Sequence, residues 1–177
     1  MLKLGAQELR TINPKREEVI GIKRNPIYIV CDNVLDTYNV GSIFRLADAV
    51  AAEKVFLCGA TESPPNTRIK KASINTTEWV PWEHCELAKS AIEELRIKNQ
   101  ELKVICVEQD ERSIPFTEMK VEFPLAIVVG NETYGISKEV LDIADEIVEL
   151  PMWGVNKSLN VMVSLGIVLF KIMESKI

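Results

Sequence analysis

Short runs of β-branched and other apolar residues alternate along the chain with segments whose apolar positions recur every three to four residues. The runs are 27–31 (IYIVC), 54–58 (KVFLC), 78–81 (EWVP), 103–107 (KVICV), 125–129 (LAIVV) and 146–150 (EIVEL). Nearly unbroken Val and Ile content marks strands buried on both faces, since a strand with one wet face would alternate. Residues 40–51, 86–99, 138–144 and 159–176 lie between or after these runs and carry helical spacing. This alternation predicts an α/β domain with a mostly parallel sheet flanked by helices. Residues 1–25 are more polar and read as a short helix and lead-in, which leaves 26–177 as a single domain.

The chain has 177 residues, 47% of them hydrophobic, with a formal net charge of −5. That is enough apolar surface for a core, and disorder is excluded because it needs low hydrophobicity and high net charge. The longest apolar run, 161–170, falls far short of the ~20 residues that span a bilayer. The N-terminus shows no signal-peptide pattern, so a soluble, cytoplasmic protein without membrane contact is expected. Cys31, Cys58, Cys85 and Cys106 form no C-x-x-C pair and His84 is the lone histidine, so reduced structural thiols and no metal are expected. Charge is uneven: residues 1–75 hold 11 Lys and Arg against 8 Asp and Glu, the remainder 10 against 18. The basic part includes Lys23, Arg24, Arg68, Lys70 and Lys71. It permits a local polyanion site on an acidic body, or is an ordinary solvated surface.

Three segments follow predicted strands and open predicted helices, with Asn39, Ser137 and Ser158 as candidate caps. In parallel α/β sheets such positions gather at the carboxyl edge, where ligands bind. The first, 32–49, places Gly41, Ser42 and Arg45 in the opening turns of a helix. Arg45 there is either an anion clamp or a surface residue of an amphipathic helix. The second, G-N-E-T-Y-G at 130–135, is neither the dinucleotide fingerprint nor a P-loop. It reads as a tight loop whose Glu132 accepts hydrogen bonds or pairs with Arg45, or as a plain turn. The third, L-P-M-W-G-V-N-K-S-L-N-V at 150–161, mixes soft apolar with short polar groups and suits a nucleoside-like ligand.

Taken together and in this order, the segments resemble the SpoU (TrmH) family of RNA ribose 2′-O-methyltransferases. The matching residues are Asn39, Gly41, Arg45 and Ala47; then Gly130, Asn131, Glu132 and Gly135; then Pro151, Met152, Gly154, Ser158, Leu159, Asn160 and Val161. The stretch 76–82 (TTEWVPW) is similar to the family's central segment. The resemblance implies a SPOUT-type fold with a deep C-terminal trefoil knot, here within about 125–177. It also implies S-adenosylmethionine as methyl donor, tRNA or rRNA as substrate with a lean to guanosine, and a homodimer with 159–172 packing at the interface.

Carried over residue by residue, the family's catalytic arginine maps to Arg45, with Asn39, Glu132, Ser158 and Asn160 orienting it and the donor. The donor would rest on Gly130, Asn131, Glu132, Leu150, Met152, Ser158 and Leu159. RNA would meet Lys23, Arg24, Arg45, Arg68, Lys70 and Lys71. Met162 departs from the small residue of many relatives, and the extra N-terminal RNA-binding domain of larger relatives is absent from this sequence. The alternative is a catalytically idle knotted protein that binds RNA or adenosylmethionine without transferring a methyl group.

Overall fold

In a computed structural model, which describes residues 3–176, seven strands form one sheet in which every ladder is parallel. They are β1 (Asn25–Asp32), β2 (Ala52–Cys58), β3 (Trp82–Cys85), β4 (Lys103–Val107), β5 (Ile114–Pro115), β6 (Leu125–Gly130) and β7 (Glu146–Glu149). Their order across the sheet is β3-β2-β1-β6-β4-β7-β5. The α-helices among the described residues are α1 (Ala6–Thr11), α2 (Arg16–Ile20), α3 (Thr37–Ala49), α4 (Thr67–Ser73), α5 (Ala88–Lys98), α6 (Lys138–Leu141) and α7 (Val161–Met173).

Period-two alternation sends the strand residues to two cores. Ile29, Leu57, Ile105, Ile127 and Val148 pack with residues of α3 and α7 on one face. Val30, Phe56, Cys106, Val128 and Ile147 pack with α5 and α6 on the other. Both faces are covered, which is why the runs read as continuous in sequence. Strands β1 to β3 build one wing, the chain returns through α5 to the other, and β6 closes the gap beside β1. The carboxyl ends of β1, β6, β4 and β7 therefore meet near the point where strand order reverses.

Several expected boundaries move, each for a local reason. Residues 78–81 are not a strand: a short 3-10 turn covers Thr76–Glu78, and β3 begins after Pro81. Proline has no N–H for the ladder, though its carbonyl accepts from Val55 N–H at 2.9 Å. The first long helix starts at Thr37 and is capped by Asp36, whose Oδ1 accepts from Tyr38 N–H, so Asn39 is not the cap. The last helix starts at Val161 with Asn160 as cap, not Ser158, because Asn160 Oδ1 takes Met162 N–H at 3.0 Å. Ser137 does precede α6, but its hydroxyl makes no capping bond. The lead-in holds two short helices, α1 and α2, rather than one. Helix α4 has no counterpart in the sequence reading; Asn66 caps it by accepting from the N–H groups of Arg68 and Ile69.

Candidate active site

The carboxyl edge is organised by acids that end strands. Asp32, at the end of β1 and only 2% exposed, accepts from Ser137 N–H at 2.8 Å and from Asn33 Nδ2 at 2.8 Å. Glu108, just past β4, accepts from Ile136 N–H at 2.9 Å. Between these anchors the loop after β6 closes on itself, with Asn131 and Gly135 exchanging backbone bonds of 3.0 and 2.9 Å. Asn131 Oδ1 takes the N–H groups of Thr133 and Tyr134, and its Nδ2 donates to the Asn33 carbonyl. Gly135 sits at φ +72°, a conformation that glycine reaches without steric cost.

Glu132 projects from that loop to the start of α3. Its carboxylate accepts from Leu35 N–H (3.0 Å), Asp36 N–H (3.1 Å) and Asn39 Nδ2 (2.9 Å). Burial pushes this carboxyl up, but the hydrogen bonds from Asn39, Leu35 and Asp36 outweigh it and hold the group below its ordinary value. Asn39 Oδ1 in turn accepts from Asn160 Nδ2 at 3.1 Å. One chain of side chains thus joins the start of α3, the loop after β6 and the start of α7. Glu132 does not pair with Arg45: its oxygens are engaged by those amides, and among the described residues Arg45 has no carboxylate within salt-bridge distance.

Beside this chain lies a cavity of about 530 Å³. Every residue expected to hold the donor lines it: Gly130, Asn131, Glu132, Leu150, Met152, Ser158 and Leu159. Asn160 lines it too, and so do Glu108 and Gln109, which the sequence reading missed. The signal was available for Glu108 and Asp32, as an acid directly after a buried apolar strand that otherwise has no use for charge. Among the described residues, no three His, Cys, Asp or Glu side chains gather as metal ligands.

Arg45 is exposed on α3, two turns beyond Tyr38 on the same stripe of the helix. It therefore stands clear of the amide-rich first turn, contrary to the placement expected from a helix starting at Val40. Gly41 is also not a ligand-facing residue. It is buried, and a Cβ there would lie 2.6 Å from the Ile69 carbonyl oxygen and from Ala72 Cβ, so it lets α4 dock on α3. Arg68, Lys70 and Lys71 are exposed on α4, and Lys23 is exposed ahead of β1. Arg24 is held otherwise: its guanidinium donates to the Ala52 carbonyl at 3.1 Å and the Trp79 carbonyl at 2.7 Å. Burial lowers its pKa against the nearby Glu53 and Asp48 charges, and the side chain ties β1 to its neighbours rather than facing a ligand.

With this geometry in hand, residues 26–170 match the model of the SpoU rRNA Methylase family, and the chain belongs to that family. It is 31% identical over 158 residues to a tRNA (guanosine(18)-2′-O)-methyltransferase of Aquifex aeolicus, covering 87% of this chain and 72% of that protein. It is 28% identical over 161 residues to the 23S rRNA (guanosine-2′-O-)-methyltransferase RlmB of Haemophilus influenzae, covering 91% of this chain and 65% of that one. The chain thus spans about two thirds to three quarters of these relatives. Among solved structures, the Aquifex aeolicus TrmH/SpoU tRNA modifying enzyme superposes with a TM-score of 0.77 at 28% identity, over 97% of this chain and 83% of that one. An AdoMet-bound rRNA methyltransferase from Sinorhizobium meliloti gives 0.76 at 25% identity, over 96% and 60%.

Proposed function

We propose that this chain transfers a methyl group from S-adenosylmethionine to a ribose 2′-hydroxyl of tRNA or rRNA, on a guanosine by the lean of its relatives. The observation that carries this reading is the hydrogen-bonded run Glu132–Asn39–Asn160 along a cavity of nucleoside size. The cavity's mix of Leu150, Met152 and Leu159 with backbone at Gly130 and short polar groups at Asn131 and Ser158 fits an adenosyl donor. When bound, the donor supplies an activated sulfonium methyl, so attack by the hydroxyl needs alignment and loss of one proton.

The chain's own groups supply the alignment. Glu132 and Asn160 fix Asn39 from either side and thereby the first turn of α3, which sets the helix that carries Arg45. Arg45 carries a planar guanidinium with several N–H donors and no acceptor, so its role is to fork onto the phosphate next to the target ribose and polarise the hydroxyl. Arg68, Lys70 and Lys71 extend this anion-binding surface, whereas Lys23, ahead of β1, stands at the amino edge of the sheet away from the cavity and Arg24 supports the sheet. An RNA substrate fits a cytoplasmic site of action.

Two further elements of the reading rest on topology and exposure. Strand β7 lies between β4 and β5, so the connection from β4 to β5 crosses the carboxyl end of β7. The chain leaving β7 must pass one side of that connection, where Gln109 Nε2 meets the Lys157 carbonyl, and this supports a threaded, knotted C-terminus. Val163, Ile167 and Phe170 form an exposed apolar stripe along α7, with Leu159 exposed just ahead of it, which supports a homodimer.

The test is transfer of labelled methyl to bulk tRNA and, separately, to rRNA, followed by nucleoside analysis. A 2′-O-methylated nucleoside from the wild-type chain, and its loss in Arg45→Ala with donor affinity retained, is the expected result. Full turnover by Arg45→Ala refutes the assignment of Arg45. Intact donor binding without transfer to either RNA favours the idle binding protein.

A further inference from the structure

Two aromatic rings are left in water by the fold: Tyr134, which lines the cavity, and Trp153, which sits in the chain between Met152, a lining residue of the cavity, and Gly154, a lining residue of the adjoining hollow. Trp153 is 92% exposed and Tyr134 is 88% exposed. Tryptophan is highly buried on average in folded proteins, so a nearly free indole beside an active site calls for a partner. Neither ring has a part in the chemistry above. Tyr134 is carried by the closed turn whose N–H groups Asn131 Oδ1 holds, so its backbone is fixed. Trp153 lies in the loop from β7 to α7, next to Met152, which lines the cavity, and ahead of Lys157, which lines the same rim.

We infer that Trp153, with Tyr134 as a second ring, stacks on unpaired RNA bases beside the nucleotide that enters the site, so that the substrate is presented as a single strand or an opened loop. This rests on the RNA methyltransferase reading and adds how the RNA is gripped. Aromatic rings beside a cation are the arrangement that holds single strands, because every base offers a π-face and a duplex hides it. The chain's net charge of −5 strengthens the case. Phosphate attraction alone is weakened by an acidic body, and stacking supplies contact that does not depend on charge.

The experiment titrates a short mixed-sequence single-stranded RNA, and the same strand annealed to its complement, into the full chain at fixed salt. Trp153→Ala should weaken single-strand binding by about 5- to 150-fold, the effect of removing one stacking ring. Trp153→Phe should recover most of it, and adding Tyr134→Ala to Trp153→Ala should weaken it further. Duplex binding, donor binding by calorimetry and sedimentation mass should stay as in wild type for Trp153→Ala. Unchanged single-strand affinity overturns the inference, and so does an equal loss on the duplex. Loss of donor affinity would put the indole on the adenine, and a change in mass would put it in a subunit contact; either overturns it as well. If the wild type methylates tRNA and Trp153→Ala keeps its KM for tRNA, stacking fails while the enzyme reading stands. If no RNA is methylated yet single-strand binding depends on the ring, the enzyme reading fails and stacking stands.

Discussion

A single methyl group at Gly130 tests the arrangement of the whole site. Gly130 closes β6, and a Cβ built there lies 2.5 Å from the Gly135 carbonyl oxygen and inside contact distance of the Gly135 carbonyl carbon and Ile136 nitrogen. These are backbone atoms, and ordinary contact begins near 3.4 Å, so in Gly130→Ala the 131–136 loop has to retreat by about 1 Å. The retreat pulls on the Asn131–Gly135 bonds, on the Ile136 N–H held by Glu108, and on Glu132, which reaches α3 from the same loop. Overpacking of this kind costs about 1–3 kcal/mol. For a domain of this size that lowers Tm by about 2–12 °C. The loss of turnover should be larger than the loss of stability suggests, on the order of 100-fold, because the groups displaced are those proposed to align the reaction. Circular dichroism melting and labelled methyl transfer measure the two effects. Gly154→Ala is the control for stability: nothing lies within 4 Å of its Cβ, so its stability should stay within about 0.5 kcal/mol of wild type. Wild-type Tm and turnover in Gly130→Ala would refute the packing argument.

Three other expectations follow from the same geometry. The Glu132 carboxyl is held below its ordinary value, so its stabilisation is present above the unfolded-state value of about 4.3 and is lost as pH falls through the folded one. The Tm gap between wild type and Glu132→Gln should therefore close on acidification, and a gap that persists undiminished counts against it. Burial pushes the Cys31 and Cys106 thiols up to about 12 and raises those of Cys58 and Cys85 as well, but Cys85 alone is partly exposed and open to a reagent. Iodoacetamide at mildly alkaline pH should add to Cys85 alone in the native protein, and a second adduct by intact mass before unfolding contradicts this. Phe170→Asp places a charge in the exposed stripe of α7 and should convert a dimer to a monomer in sedimentation; a dimer that survives it rules that face out.

The strands were legible because their physics is local. A strand covered on both faces must be apolar throughout, and 103–107 and 125–129 were read within a residue of β4 and β6. Helix starts were less legible, since Asn39 and Ser158 have the chemistry of a cap without the position. Asn39 lies inside the helix because Asp36 caps it, and its amide goes instead to Glu132, 93 residues away in the chain, a partner that no local rule contains. The same holds for Gly41: its spacing belongs to a motif, but its reason is the close approach of α4, a helix the periodicity did not reveal. The residues expected to hold the donor come from the resemblance, and the structure gathers them along one cavity because three strand ends share one edge. Arg24 shows the limit of reading charge from sequence, because an arginine whose guanidinium meets two carbonyls looks the same in the chain as one that faces solvent.

The polarity of the central hydrogen-bond chain explains why it consists of Asn, Glu and Asn. An ionised Glu132 can only accept, so Asn39 must turn its NH₂ toward it. That leaves Asn39 Oδ1 as an acceptor facing α7, which requires a donor there. From the other end, Met162 N–H can only donate, so Asn160 must turn Oδ1 to it and present its own NH₂ toward Asn39. The two assignments, made independently from opposite ends, meet with a donor facing an acceptor. Aspartate at 39 would set a carboxylate against Glu132, and aspartate at 160 would keep the helix cap but lose the donor to Asn39. A side chain with both a donor and an acceptor end is therefore required at each of the two positions, and a pure acceptor between the amides of Leu35 and Asp36. Three segments far apart in the chain are in this way held in one relative position by directional bonds, which is what a reaction limited by alignment demands.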